Sequence, residues 1–198
     1  MKVICLTGGL ASGKSTATKY LQDQGAQVID ADKLGHLAYE PGTQAYLKVI
    51  ATFGEDVVQD DNHIDRKLLG GKVFAQPGAL KQLTDIVWPE IRRLAELELA
   101  GFDALYEDCV VVLEAAVLFE AGWEDIGDEV WVVTVDREVA IKRAMARDGF
   151  PQEAVEQRLD AQLSNDERTS RADVVIDNSG DQAQMAQQLA THWARINA

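Results

Sequence analysis

The stretch TGGLASGKST, Thr7 to Thr16, constrains this chain more than any other. It matches G-x-x-x-x-G-K-[ST] at Gly8, Gly13, Lys14 and Ser15. An apolar run, VICL at 3–6, precedes it, and a helical pattern over 14–24 follows. A phosphate-binding loop requires that context. Glycines let the backbone turn so that its N–H groups face phosphate oxygens, and the following helix N-terminus adds partial positive charge. Lys14 supplies a full charge to the β- and γ-phosphates, and the Ser15 hydroxyl is placed to ligate Mg2+. Gly9, Ala11, Ser12 and Thr16 complete the expected nucleotide cradle. From average residue usage, a chance match in a chain this long is on the order of one per cent.

Four further runs rich in β-branched residues read as strands: VI at 28–29, VVVL at 110–113, VWVVTV at 130–135 and VVI at 174–176. The longer runs are apolar without alternation, which suits strands buried on both faces of a parallel sheet. Helical patterns lie between them. One is expected over 90–100, just after Pro89, and another over 137–147. A third is opened by Pro151 at a first-turn position, with Val155, Leu159 and Leu163 four apart. In a last helix Met185, Leu189, Trp193 and Ile196 share one face. Strand–helix alternation predicts a doubly wound α/β fold. The stretch from about 33 to 105 is mainly helical by pattern and reads as an insertion between the second and third strands.

Composition narrows the partners. The net charge is −14 at pH 7, with 33 acids against 19 bases. Duplex binding usually needs a basic face, so no nucleic-acid partner is expected. No apolar run approaches the ~20 residues that span a bilayer, and no membrane partner is expected. The opening MKVICLTGG is too short in its apolar run for a secretory signal. Cys5 and Cys109 both sit in apolar runs and read as buried, unpaired thiols of a cytoplasmic protein. With no CxxC and three scattered histidines, a structural metal site is not expected.

A phosphate loop serves both kinases and nucleotide-dependent switches. A switch calls for D-x-x-G after the third strand and N-K-x-D for guanine. DKLG at 32–35 follows the second strand, and N-K-x-D is absent. A kinase calls for an acid near the attacking hydroxyl, an acid at the metal and arginines over the transferring phosphoryl. In VIDAD, Asp32 is a candidate base or else the N-cap of the next helix. Glu114 ends a predicted strand, as a holder of the metal's water or as an ordinary strand-end acid. Arg143 and Arg147 are four apart on one helical face, as phosphate-covering lid residues or a solvated face. Arg158 on the next helix could join them.

The whole pattern resembles the dephospho-coenzyme A kinases. LTGGLASGKST, VIDADKLGHLAYEPG, IDRKLLGGKVF, WPEI, AAVLFEAGW, VWVVTVDREVAIKRAMARDG and ADVVIDNSG occur in that family's order and spacing. The resemblance implies a P-loop NTPase fold. Its parallel sheet has about five strands flanked by helices, over 1–32, 106–136 and 166–198. To this it adds a helical acceptor-binding insertion at 33–105 and a lid at 137–165, all within one domain, 1–198. It implies ATP as donor, Mg2+ as cofactor, and transfer to the ribose 3′-hydroxyl of dephospho-coenzyme A. By the same likeness Asp32 is base-like, Arg143 and Arg147 are lid arginines, Asn178 meets the adenine, and Arg66 lies near the acceptor's phosphates. Glu114 is also expected on the substrate side. Most bacterial members have His-Pro where this chain has Trp88-Pro89, and many have D-x-P-L-L-F-E where Glu114 and Ala116 stand. Those two features resemble the kinase domain of the bifunctional coenzyme A synthase of animals. Trp88 is either core or a stacking surface for the acceptor's adenine. A kinase for another small acceptor, such as a nucleoside monophosphate, is the alternative.

Overall fold

The structure, a computed structural model, describes residues 1–106 and 108–197; Glu107 and Ala198, which fall inside the predicted core segments, lie outside the described residues. Five strands form one sheet in the order β2-β3-β1-β4-β5. They are β1 (Lys2–Gly8), β2 (Gln27–Asp30), β3 (Val110–Glu114), β4 (Glu129–Thr134) and β5 (Val174–Asp177). β1 pairs in parallel with β3 on one side and β4 on the other, and β4 pairs in parallel with β5. All five strands fall where apolar runs predict them.

The unalternated runs have the expected cause. Ile4 and Leu6 of β1, Val110 and Val112 of β3, and Trp131 and Val133 of β4 share a core cluster with helix residues. Their intervening neighbours Cys5, Val111 and Val132 are buried as well. Both faces of these strands are covered, so no polar residue interrupts them. β5 lies at the sheet edge and alternates instead: Val174 and Ile176 are buried while Val175 is exposed.

Two helices cover the Ile4 face. α1 (Lys14–Asp23) contributes Ala17 and Leu21; the last helix, α9 (Gln182–Ile196), contributes Met185 and Leu189, with Trp193 and Ile196 packed alongside. α9 starts at Asp181, whose side chain accepts from Gln184 N–H at 2.8 Å, an N-cap bond. Its other end is tied to β4: the Arg195 guanidinium donates to both oxygens of Glu129, at 2.8 and 2.5 Å, and Trp131 Nε1 donates to Glu129 Oε2 at 2.9 Å.

The chain divides into two compact units, Met1–Ile29 with Phe102–Ala198, and Asp30–Gly101. The second contains α2 (Ala31–Leu37), α3 (Gln44–Phe53), α4 (Arg66–Ala75) and most of α5 (Ala79–Leu105). α5 departs from expectation. It begins at Ala79 and runs through Pro89 rather than starting after it. Proline removes the bond to the Asp85 carbonyl, but Asp85 is exposed, so that group is open to solvent. The buried stripe Val87, Ile91, Ala95 and Leu99 continues across the proline, and its burial outweighs the lost bond.

The first unit also holds α6 (Arg137–Asp148), α7 (Gln152–Asp160) and the short α8 (Asn165–Thr169). Pro151 is the N-cap of α7, one residue before the first helical position, and Leu163 falls beyond the helix end. Ile141, Ala144 and Val155 make a small core of the α6–α7 hairpin, with Leu10, Ala11 and Leu159 packed against it. Among the described residues no helix is long and apolar enough to cross a membrane. Of the two free cysteines, Cys5 is buried and its thiol is pushed up to about 12 by desolvation; Cys109, expected to be buried, is half-buried at the mouth of β3.

The Glu129 cluster makes an acid-sensitive clasp. The Arg195 hydrogen bonds hold the carboxyl at about 2, below the ordinary 4.5, with Trp131 and Lys2 adding to the effect. A depressed carboxyl stabilises the fold above its unfolded value and loses that contribution as pH falls toward the folded value. Urea midpoints measured from pH 6 to 2 should therefore fall more steeply below about pH 4.5 in the parent than in Glu129→Gln. Parallel curves would remove the clasp from the acid response.

Candidate active site

The site begins where the sheet changes direction. From β1 the chain leaves toward β2, and from the adjacent β3 it leaves toward β4, so the carboxyl ends of β1 and β3 open a crevice. Leu6 of β1 is registered against Glu114 of β3, and Ala115 N–H donates to Leu6 C=O at 3.0 Å. The loop from Gly8 to Gly13 leaves β1 at this point.

Sterics fix the loop's sequence. A Cβ at Gly8 would lie 2.6 Å from Val133 O and 2.5 Å from Ser12 Oγ. Gly13, the N-cap of α1, has φ +95°, and a Cβ there would lie 2.1 Å from Asn178 Nδ2. No side chain caps the first turn of α1; Thr16 N–H turns back to Gly13 C=O at 3.0 Å, which leaves the Lys14 and Ser15 N–H groups for an outside acceptor. Thr7 Oγ1 and Ser12 Oγ are buried beside the loop without a recorded partner. Uncapped amides and orphan hydroxyls suit a polyphosphate, which brings acceptors only.

One acid faces this cradle. Lys14 Nζ is 2.5 Å from Glu114 Oε1, with their side chains 12% and 11% exposed. Ser15 Oγ lies 3.4 Å from the same oxygen. Thus Lys14, Ser15 and Glu114, predicted separately, come together. A hydroxyl and a carboxylate offer hard oxygen donors of the kind Mg2+ takes, with further positions left for phosphate oxygens and water. Among the described residues no group of three or more His, Cys, Asp or Glu could hold a metal by itself.

Asn178 and Arg143 meet beside the phosphate loop. Asn178 is 6% exposed, and its Nδ2 donates to Ser12 C=O at 2.7 Å. Arg143, half-buried on α6, donates to Asn178 C=O at 2.9 Å and to Gly180 C=O at 3.5 Å. Arg147 stands apart on the exposed side, forked onto neighbouring Asp148 at 2.7 and 2.8 Å; that carboxylate raises the guanidinium's pKa and is itself lowered. Arg158 stacks on the Phe150 ring at 4.1 Å.

Asp32, Arg66 and Trp88 lie in the second unit. The N-cap of α2 is Asp30, whose Oδ1 accepts from Asp32 N–H at 3.0 Å and Lys33 N–H at 3.2 Å. Asp32 itself sits in the first turn of α2, so the capping role expected as its alternative belongs to Asp30. Arg66 opens α4. It donates to His36 C=O at 3.1 Å, one turn along α2 from Asp32, and lies 5.8 Å over the Tyr39 ring. Trp88 is half-buried in α5 rather than part of the buried core.

The family model for dephospho-CoA kinase, CoaE, matches residues 2–184. The chain belongs to that family. A dephospho-CoA kinase of Geobacter sulfurreducens is 48% identical over 195 residues, covering 98% of both chains. Among solved structures, TT1252 from Thermus thermophilus aligns with a TM-score of 0.81 at 32% identity, covering 98% of this chain and 96% of that one. The dephospho-CoA kinase from Campylobacter jejuni aligns with a TM-score of 0.75 at 30% identity, over the same shares. These P-loop relatives span the full sheet and its helices, so the dephospho-CoA kinase fold expected from the motifs is the fold observed.

Sequence reasoning passed over Gln162. Its Oε1 accepts from Leu10 N–H at 2.9 Å, inside the phosphate loop.

The Lys14–Glu114 pair yields a direct test. Lys14→Met should abolish turnover and also lower stability, because Glu114 is left nearly buried without its cation. Removing one partner of a buried pair costs up to about 3–5 kcal/mol. The double variant Lys14→Met/Glu114→Gln should regain most of the melting temperature while staying inactive. Failure of the second change to restore stability would show that the two charges are not coupled.

Proposed function

We infer that the chain transfers the γ-phosphoryl group of ATP to the ribose 3′-hydroxyl of dephospho-coenzyme A, the last step of coenzyme A synthesis. The observation that carries this reading is the family match over residues 2–184 of a chain whose Lys14, Ser15 and Glu114 converge at the phosphate loop. The acceptor oxygen bonds to the γ-phosphorus, the bond to the β–γ bridging oxygen breaks, ADP leaves, and the hydroxyl proton passes to a base.

We assign that base to Asp32. It lies in the first turn of α2, where Asp30 already satisfies the helix start. Lys14 leaves Glu114 for the β- and γ-phosphates; Ser15 and Glu114 would hold Mg2+, which would supply charge to offset that of the transferring group. The α6–α7 hairpin acts as the lid, with Arg147, the exposed arginine, exchanging Asp148 for phosphate. Arg143 orders the loop through Asn178. Arg66 and Trp88 contribute to the acceptor side. Closure over the phosphates excludes water, the competing nucleophile. The two free thiols support a cytoplasmic location.

Two measurements test this. In a coupled ADP-release assay, dephospho-coenzyme A should support turnover far above adenosine, nucleoside monophosphates or shikimate. Preference for any of these would keep a kinase and overturn the acceptor. Asp32→Asn should lower kcat by ~10²–10⁴, the usual worth of a general base, with little change in ATP KM. Turnover near the parent's would remove Asp32 from that role.

A further inference from the structure

The phosphate loop is held at two points by side-chain amides that come from opposite ends of the polar machinery. At Ser12 the holder is Asn178, whose Nδ2 reaches the carbonyl at 2.7 Å. At Leu10 it is Gln162, whose Oε1 takes the N–H at 2.9 Å. Between the two lies Ala11, a residue with φ +55°. A non-glycine residue in the left-handed region costs roughly 1–2 kcal/mol and persists only when its surroundings hold it there. The Ser12 N–H bond back to Gly9 C=O at 3.2 Å closes the turn through Ala11, and the pair of amides anchors that turn from either side.

Gln162 stands two residues past the end of α7, at the exit of the α6–α7 hairpin. Its own N–H bonds back to Leu159 C=O at 3.2 Å, which sets the turn from which its side chain reaches the loop. The contact has an apolar half as well. Leu10 and Ala11 pack against the hairpin core of Ile141, Ala144 and Val155. Next to the bond is a cavity of about 220 Å3, lined by Gly9, Leu10, Leu159 and Gln162 among others. The hairpin is therefore not close-packed onto the loop along its length. The Gln162 bond is a directional link between them.

Leu10 N–H shares its peptide group with Gly9 C=O, which accepts from Ser12 N–H, so the orientation of this peptide sets the path of the loop through Ala11. A bond that fixes Leu10 N–H thus fixes the loop in its phosphate-ready form without touching phosphate. We propose that Gln162 is a positioning residue for the kinase reaction: it latches the α6–α7 hairpin to the phosphate loop, so that hairpin position and loop readiness for ATP are coupled. By linkage, ATP in the loop favours the hairpin position that makes the bond to the same degree. The inference rests on the nucleotide-binding part of the proposed function and is independent of the acceptor.

The test uses the full-length chain and two variants. Gln162→Met keeps the length and removes the acceptor; Gln162→Glu keeps an acceptor oxygen. Two quantities are read: hydrogen exchange of the Leu10 amide by NMR, and MgATP affinity by calorimetry, without dephospho-coenzyme A. The bond is exposed, so one net hydrogen bond is at stake, and Gln162→Met should weaken MgATP by about two- to tenfold. Its Leu10 amide should lose protection while the melting temperature stays near the parent's. Gln162→Glu should recover the Leu10 protection. Parental MgATP affinity in Gln162→Met overturns the latch. So does a loss of affinity that comes with a large fall in melting temperature and is unaccompanied by faster Leu10 exchange, since that marks general destabilisation. A chain that binds MgATP as expected but ignores dephospho-coenzyme A would refute the acceptor assignment and leave the latch standing.

Discussion

The first turn of α1 has N–H groups and no side chain to receive them, because its N-cap is Gly13. That deficit is the constraint around which the site is built. Left alone, a loop with exposed amides would turn them to water or to neighbouring carbonyls. Here the loop is held from outside. Gly8 is pressed against the Val133 carbonyl, Asn178 holds Ser12, and Arg143 holds Asn178 by its own carbonyl. The cost of an uncapped helix is carried by the rest of the sheet unit.

Charge follows the same logic. In a chain with a net charge of −14, an anionic substrate meets general repulsion, so each cation near the loop has a defined resting partner. Lys14 rests on Glu114, and Arg147 on Asp148. Such charge-assisted pairs keep the cations placed.

How much of this was legible in the sequence depended on what kind of interaction fixed each part. β1, β3 and β4 were readable because burial on both faces leaves an unbroken apolar run, as at Ile4, Cys5 and Leu6. Gly8, Gly13, Lys14 and Ser15 were readable because loop geometry demands those residue types at that spacing. The start of α5 was not, because the local signal at Pro89 was overridden by the stripe from Val87 to Leu99. VIDAD carries two acids two residues apart, and pattern alone does not say which one caps; the turn geometry chose Asp30. Asn178 and Gln162 exemplify the hardest case. An amide at a strand end or a helix exit is commonplace, and only the partner, 166 or 152 residues away in sequence, gives it a task.

The placement of β1 has a bearing on how the chain is made. β1 is synthesised long before its two neighbours in the sheet, which begin at Val110 and Glu129. At roughly 5–20 residues per second, the apolar residues from Val3 to Leu6 wait several seconds for either partner to emerge from the ribosome. The helices of Asp30–Gly101 form a contiguous unit and are complete before then. The nascent chain therefore carries a folded helical segment behind an unpaired hydrophobic strand, a species that calls for chaperone cover until β3 and β4 arrive.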